Sequence, residues 1–103
     1  MTTRLTDVQR AIAAECDALR DMLIAKNVAY GNSALDPVRI FSRASAEEQI
    51  LVRLDDKLSR IARGSAAGED VVLDMLGYLV LLRVARRMGR AATERPPTPE
   101  GEP

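Results

Sequence analysis

The segment Lys26-Asn27-Val28-Ala29-Tyr30-Gly31-Asn32-Ser33 places a cation, a phenol, a glycine turn and a hydroxyl side by side. A glycine turn exposes backbone N–H groups, a lysine adds a point charge, and a tyrosine offers a face for stacking. Together they can hold a phosphate and a base. The same residues also suit a plain helix C-cap, with Lys26 complementing the helix dipole and Tyr30 plugging the core. The pattern is neither a Walker nor a Rossmann motif.

A second group is Arg53, Lys57 and Arg60, with Arg39 and Arg43 supplied by the preceding segment. At 100° per residue the first three fall within an arc of about 60° beside an apolar stripe. Cations converging on one edge suit a phosphorylated nucleotide. Against this stands ordinary pairing within the helix, since Asp56 and Arg60 are i,i+4 partners worth a few tenths of a kcal/mol.

A third group is acidic. Asp70 and Asp74 are one turn apart, with Tyr78 one turn further. Such carboxylates can hold Mg²⁺, which prefers oxygen ligands. Asp70 equally fits as a favourable anion at a helix N-terminus. Asp74 lies inside an apolar run, where an unpaired carboxylate costs several kcal/mol, so it needs a partner. Arg53, Lys57 and Arg60 of an antiparallel neighbouring helix are available, and a structural salt bridge is the commoner outcome.

Three helical segments must position these groups. The first opens at Thr6-Asp7-Val8-Gln9, a capping-box pattern, and carries the stripe Val8, Ile12, Cys16, Leu19 and Leu23. Its pattern stops near Ala25-Lys26, and Asn27 to Ser33 reads as turn chemistry. Asp36-Pro37 reads as an N-cap followed by proline, predicting a short helix from Pro37 to about Arg43. A second capping box at Ser45-Ala46-Glu47-Glu48 opens a helix with Ile50, Leu54, Leu58 and Ile61 on one stripe, ending at Gly64. A third runs from roughly Glu69 to Met88. Its middle, Val71 to Leu82, is apolar on nearly every face and interrupted by Asp74.

A helix apolar all round must be covered on all sides. Two other long helices and a short one cover only part of it, which predicts a homo-oligomer with this helix at or near the subunit interface. The expected fold is all-α: a small antiparallel helical bundle of three long helices plus one short one, a single domain over residues 1–90. A Pro-rich tail over 91–103 is expected to be disordered.

Composition narrows the chemistry. The 103 residues contain no histidine and a single cysteine, Cys16. Serine–histidine and cysteine–histidine catalysis, His-based zinc sites and disulfide scaffolds are therefore excluded. Fifteen Lys+Arg balance fifteen Asp+Glu, which argues against coating DNA by bulk electrostatics. No charge-free run of about 20 apolar residues and no basic-then-apolar leader is visible, so the expectation is a cytoplasmic protein without a membrane association.

Lys26-x-x-x-Tyr30-Gly31-x-Ser33, Arg53-x-x-Asp56-Lys57-x-x-Arg60 and Asp70-x-x-x-Asp74-x-x-Gly77-Tyr78 together resemble a small all-helical family of phages and bacteria, the nucleotide-modification-associated domain. That family is itself similar to the MazG-like all-α nucleotide pyrophosphohydrolases. The likeness spans about Lys26 to Leu82. It implies an oligomerising helical bundle in a bacterium or phage-infected cell, with a nucleotide or nucleotide-derived ligand. By position, Lys26, Tyr30, Gly31, Lys57 and Arg60 would contact that ligand, and Ser33, Arg39 and Arg53 complete the candidate phosphate-binding set. Asp56 and Asp74 would be metal ligands or would orient the cations.

One departure separates the chain from the hydrolases. They hold Mg²⁺ with Glu-x-x-Glu and Glu-x-x-Asp motifs on facing helices, and neither spacing occurs here: Leu51 follows Glu48 at that distance and Val72 follows Glu69. A cation-rich, carboxylate-poor site favours holding a phosphate over cutting one. The leading expectation is a binder without a cofactor that sequesters a nucleotide, for instance a cyclic signal of antiphage defence, resembling phage sponge proteins in size and architecture. The alternative is a Mg²⁺-dependent pyrophosphohydrolase using Asp56, Asp70 and Asp74, with Glu15 or Glu48. A third reading is a helical interaction module without a ligand.

Overall fold

The computed structural model describes residues 4–37, 40–65 and 67–94, without the side chains of 92–94. Among them it is all-helical: α1 spans Asp7–Tyr30, α2 Ala46–Arg63 and α3 Val71–Glu94. The local signals fix most of these ends. The Thr6 hydroxyl accepts from the Gln9 N–H at 3.1 Å while the Gln9 side chain accepts from the Thr6 N–H at 2.9 Å, a complete capping box. Ser45 Oγ accepts from the Glu48 N–H at 3.1 Å at the start of α2, and Gly64 closes that helix in the left-handed region at φ 68°.

Three boundaries depart from expectation. Helix α1 continues one turn past Lys26, through Asn27 and Val28 to Tyr30. Their helix propensities are only tenths of a kcal/mol below the good formers, and nothing in the turn forbids the continuation. The break comes at Gly31, whose φ 64° and ψ −155° suit glycine almost alone. The predicted short helix from Pro37 to Arg43 is absent among its described residues, and residues 40–45 run without helix. Ile40 and Phe41 are exposed there, and a seven-residue helix with no surface to bury lacks the packing that short helices depend on. Helix α3 starts at Val71 rather than Glu69 and continues to Glu94, past the expected tail boundary at Ala91. The remaining tail residues lie outside the described set.

Helices α2 and α3 fold back on each other as an antiparallel hairpin, tied by ion pairs at both ends: Lys57 to Asp74 near the loop and Arg86 to Glu47 at the far end. Their shared core is Ile50, Leu54 and Leu82, flanked by Leu51, Met75, Tyr78, Leu81, Ala85 and, from the turn, Leu35. Helix α1 buries no residue. It meets α3 around Gly77, where an added Cβ would stand 3.2 Å from Leu23 Cδ2 and 3.4 Å from Met22 Cε. The absence of a side chain at Gly77 therefore sets how closely α1 approaches. Beyond that crossing the N-terminal half of α1 leaves the hairpin, and the molecule spreads over 58 × 50 × 22 Å. No described helix is long and apolar enough to cross a membrane.

Candidate functional site

The crossing of α1 over the hairpin creates a cleft of about 570 Å³. The last turn of α1 contributes Lys26, Asn27 and Tyr30, and the following turn Gly31, Asn32, Ser33, Ala34 and Pro37. Helix α2 adds Gln49, Ile50, Arg53 and Lys57, and α3 adds Asp74, Gly77, Tyr78 and Leu81. The turn is internally braced: Asn27 Nδ2 donates to Asn32 Oδ1 at 3.1 Å, and the Asn32 carbonyl accepts the N–H groups of Leu35 at 3.1 Å and Asp36 at 2.7 Å.

Six of the eight candidate binding residues thus share one cleft: Lys26, Tyr30, Gly31, Ser33, Arg53 and Lys57. Arg60 stands one turn further along α2, outside its wall. Arg39 lies outside the described residues. The three amide side chains, Asn27, Asn32 and Gln49, were not among the candidates. In a turn Asn reads first as a residue tolerant of positive φ, and Gln49 carried no spacing signal.

The ion pairs divide the cations into two kinds. Lys57 Nζ sits 3.3 Å from Asp74 Oδ2 and 3.6 Å from Glu69 Oε2, with its side chain 14% exposed. Arg60 Nη1 donates to the other Glu69 oxygen, and its Nε is 3.2 Å from Asp56 Oδ2. Two cations are therefore committed to three carboxylates. Lys26 and Arg53, by contrast, are exposed and make no ion pair among the described residues. An arriving anion meets these two with nothing to displace.

The three candidate metal ligands have separate duties. Asp56 pairs with Arg60 on the exposed side of α2. Asp70 caps α3, its Oδ1 accepting the Leu73 N–H at 3.0 Å and its carbonyl the Asp74 N–H at 3.0 Å. Asp74 alone of the three lines the cleft, and it found the partner its apolar setting requires in Lys57. Among the described residues no three Cys, Asp or Glu side chains converge as a ligand set. Between Glu69 and Asp74, the closest approach to one, stands the Lys57 ammonium. A divalent ion does not fit there without expelling that lysine, because the two cations would compete for the same oxygens.

Comparison of the chain with family models, characterised proteins and solved structures returns no match.

Proposed function

We propose that this protein binds a nucleotide or nucleotide-derived ligand in the cleft and holds it intact. The observation that carries the reading is the pair of uncommitted cations, Lys26 and Arg53, brought by α1 and α2 to one cleft that also presents Tyr30 and Tyr78. Each cation would make a charge-assisted contact to phosphate. A tyrosine ring offers a base a stacking face, and the amides of Asn27, Asn32 and Gln49 supply both donors and acceptors to its edge. Lys57 acts through Asp74, holding that carboxylate neutralised so that it does not repel the phosphate.

The reading extends to assembly. Val72, Leu76, Leu79 and Val80 of α3 are exposed in a single chain, and copies associating through this face would cover them. Sequestration of a cyclic nucleotide signal, the role suggested by the resemblance, would follow from tight binding without turnover.

The test is equilibrium binding of a panel of linear and cyclic nucleotides, with and without Mg²⁺, followed by chromatography of bound and released material. Ligand recovered intact supports the binder, and Mg²⁺-dependent release of pyrophosphate would replace it with the hydrolase. Lys26→Ala and Arg53→Ala should each weaken binding by about 10- to 100-fold, the worth of one hydrogen bond to a charged group. Unchanged affinity in both would remove the cleft from consideration.

A further inference from the structure

The N-terminal half of α1 and the outward face of α3 are two bare surfaces of one chain. On α1 the stripe Val8, Ile12 and Cys16 is exposed, Val8 by 69% and Ile12 by 58%, with Leu19 half-buried at its inner end. At 100° per residue Glu15 borders that stripe, and it makes no ion pair among the described residues. On α3, Val72, Leu76, Leu79 and Val80 are exposed and share one sector of the helix. Arg83, Arg87 and Arg90 continue the same sector toward the C-terminus. They too lack ion pairs among the described residues, whereas Arg86, at the edge of the sector nearest α2, is bound to Glu47 and lines one cleft with all three.

The two faces match in length, chemistry and charge. The projecting part of α1, about 15 residues, is roughly 22 Å long, and the α3 sector from Val72 to Arg87 is about 24 Å at 1.5 Å per residue. Each is apolar, with Glu15 beside the middle of the α1 stripe and Arg83, Arg87 and Arg90 on the C-terminal part of the α3 sector. Within one chain α1 meets α3 through Leu23 and Met22 at Gly77 and leaves both faces exposed, so a second chain is what can cover them. The surface at stake is apolar and open: Val8, Ile12, Val72, Leu76, Leu79 and Val80 are all exposed. A stable interface needs roughly 800 Å² from each partner.

We propose that two copies of this chain exchange arms: α1 of each lies along the outward face of the other's α3, with Glu15 against the partner copy's arginines. The exchange is self-complementary, so it closes at two copies rather than growing into a filament. It rests on the association proposed above and specifies which surfaces meet. It also gives the cleft its rigidity, because the helix that carries Lys26 and Tyr30 is then held at both ends.

Three measurements test it. Sedimentation of the whole chain should give the mass of two copies, and Leu76→Asp should give one copy with its helical circular dichroism retained. In a Val80→Cys or Arg83→Cys variant, mild oxidation should link the new thiol to Cys16 of another molecule, located by peptide mass spectrometry, because a disulfide requires Cα atoms within about 7 Å. Glu15→Arg should weaken association about tenfold, and Arg83→Glu or Arg87→Glu in the same chain should restore it. A one-copy mass would overturn both the arm exchange and the proposed association. A two-copy mass with Cys16 linked only to Cys16, or with no rescue by charge reversal, would overturn the exchange alone. An assembly larger than two would also overturn it, because closure is its consequence.

Discussion

The α2–α3 hairpin and helix α1 contain comparable helical signals yet reach different states. The hairpin has a core, ion pairs at both ends and a left-handed glycine closing α2. Helix α1 is longer than α2 and better capped at its N-terminus, with both halves of its capping box formed, yet none of its residues is fully buried. Capping and periodicity determine that a segment is helical. They do not determine what it packs against, and most helical stability in a folded protein comes from that packing. The hairpin is therefore the stable unit, and α1 is an arm whose inner end shapes the cleft.

The largest expected effect lies in the hairpin core. Ile50 is 1% exposed, and Ile50→Ala should cost about 3 kcal/mol through lost burial and the cavity left behind. In a chain with so small a core that is enough to shift the urea midpoint strongly. Ile12→Ala on the α1 arm removes the same kind of side chain from an exposed site. At protein concentrations low enough to keep copies apart it should cost under about 0.5 kcal/mol. Equal losses at the two positions would mean that α1 packs on its own hairpin, and the contrast would fail.

That contrast also explains what was legible in the sequence. The caps at Thr6, Ser45 and Gly64 are local, depending on residues within one turn, and they appear where the sequence places them. The extra turn of α1 rests on the weak preferences of Asn27 and Val28, which a turn pattern overrides on paper, and the absence of helix over the described residues 40–43 rests on a lack of surface to pack against, which no local pattern carries. The cleft was legible in part. The arc of Arg53 and Lys57 on α2 and the Asp74 requirement for a cation follow from helical geometry and the cost of a bare buried charge. Which cations stay free was not legible. It depends on the register of the hairpin, which brings Glu69 to Lys57 and Arg60. Glu69 belongs to no periodic stripe, and of the two roles open to Asp70, metal ligand or anion at the helix N-terminus, its carboxylate takes the second by capping α3.

The next effect in size concerns the Lys57–Asp74 pair. Asp74→Ala removes one partner from a largely buried lysine and should destabilise the hairpin by about 1–2 kcal/mol, since Glu69 at 3.6 Å still compensates part of the charge. Its effect on binding has the opposite sign. Deleting a negative charge from the wall of an anion site should raise nucleotide affinity a few-fold, read by titration at fixed ionic strength. Loss of affinity together with loss of a Mg²⁺-dependent activity would instead assign Asp74 to metal binding.

The smallest effect discriminates most finely between the two regions. Ser45→Ala and Thr6→Ala each delete a hydroxyl that accepts a backbone N–H at 3.1 Å, a loss worth about 1 kcal/mol to the helix concerned. At Ser45 that loss should appear in full as global stability, because the start of α2 is coupled to α3 through Glu47 and Arg86. At Thr6 it should appear in a single chain only as faster amide exchange over the first turns of α1, leaving the unfolding midpoint within a few tenths of a kcal/mol, because a helix end with no tertiary contact frays without unfolding the rest. Raising the protein concentration changes the expectation for Thr6 alone. If a second copy covers the arm, the exchange slows and the Thr6→Ala penalty moves into the association constant, whereas the Ser45→Ala penalty stays with the fold at every concentration.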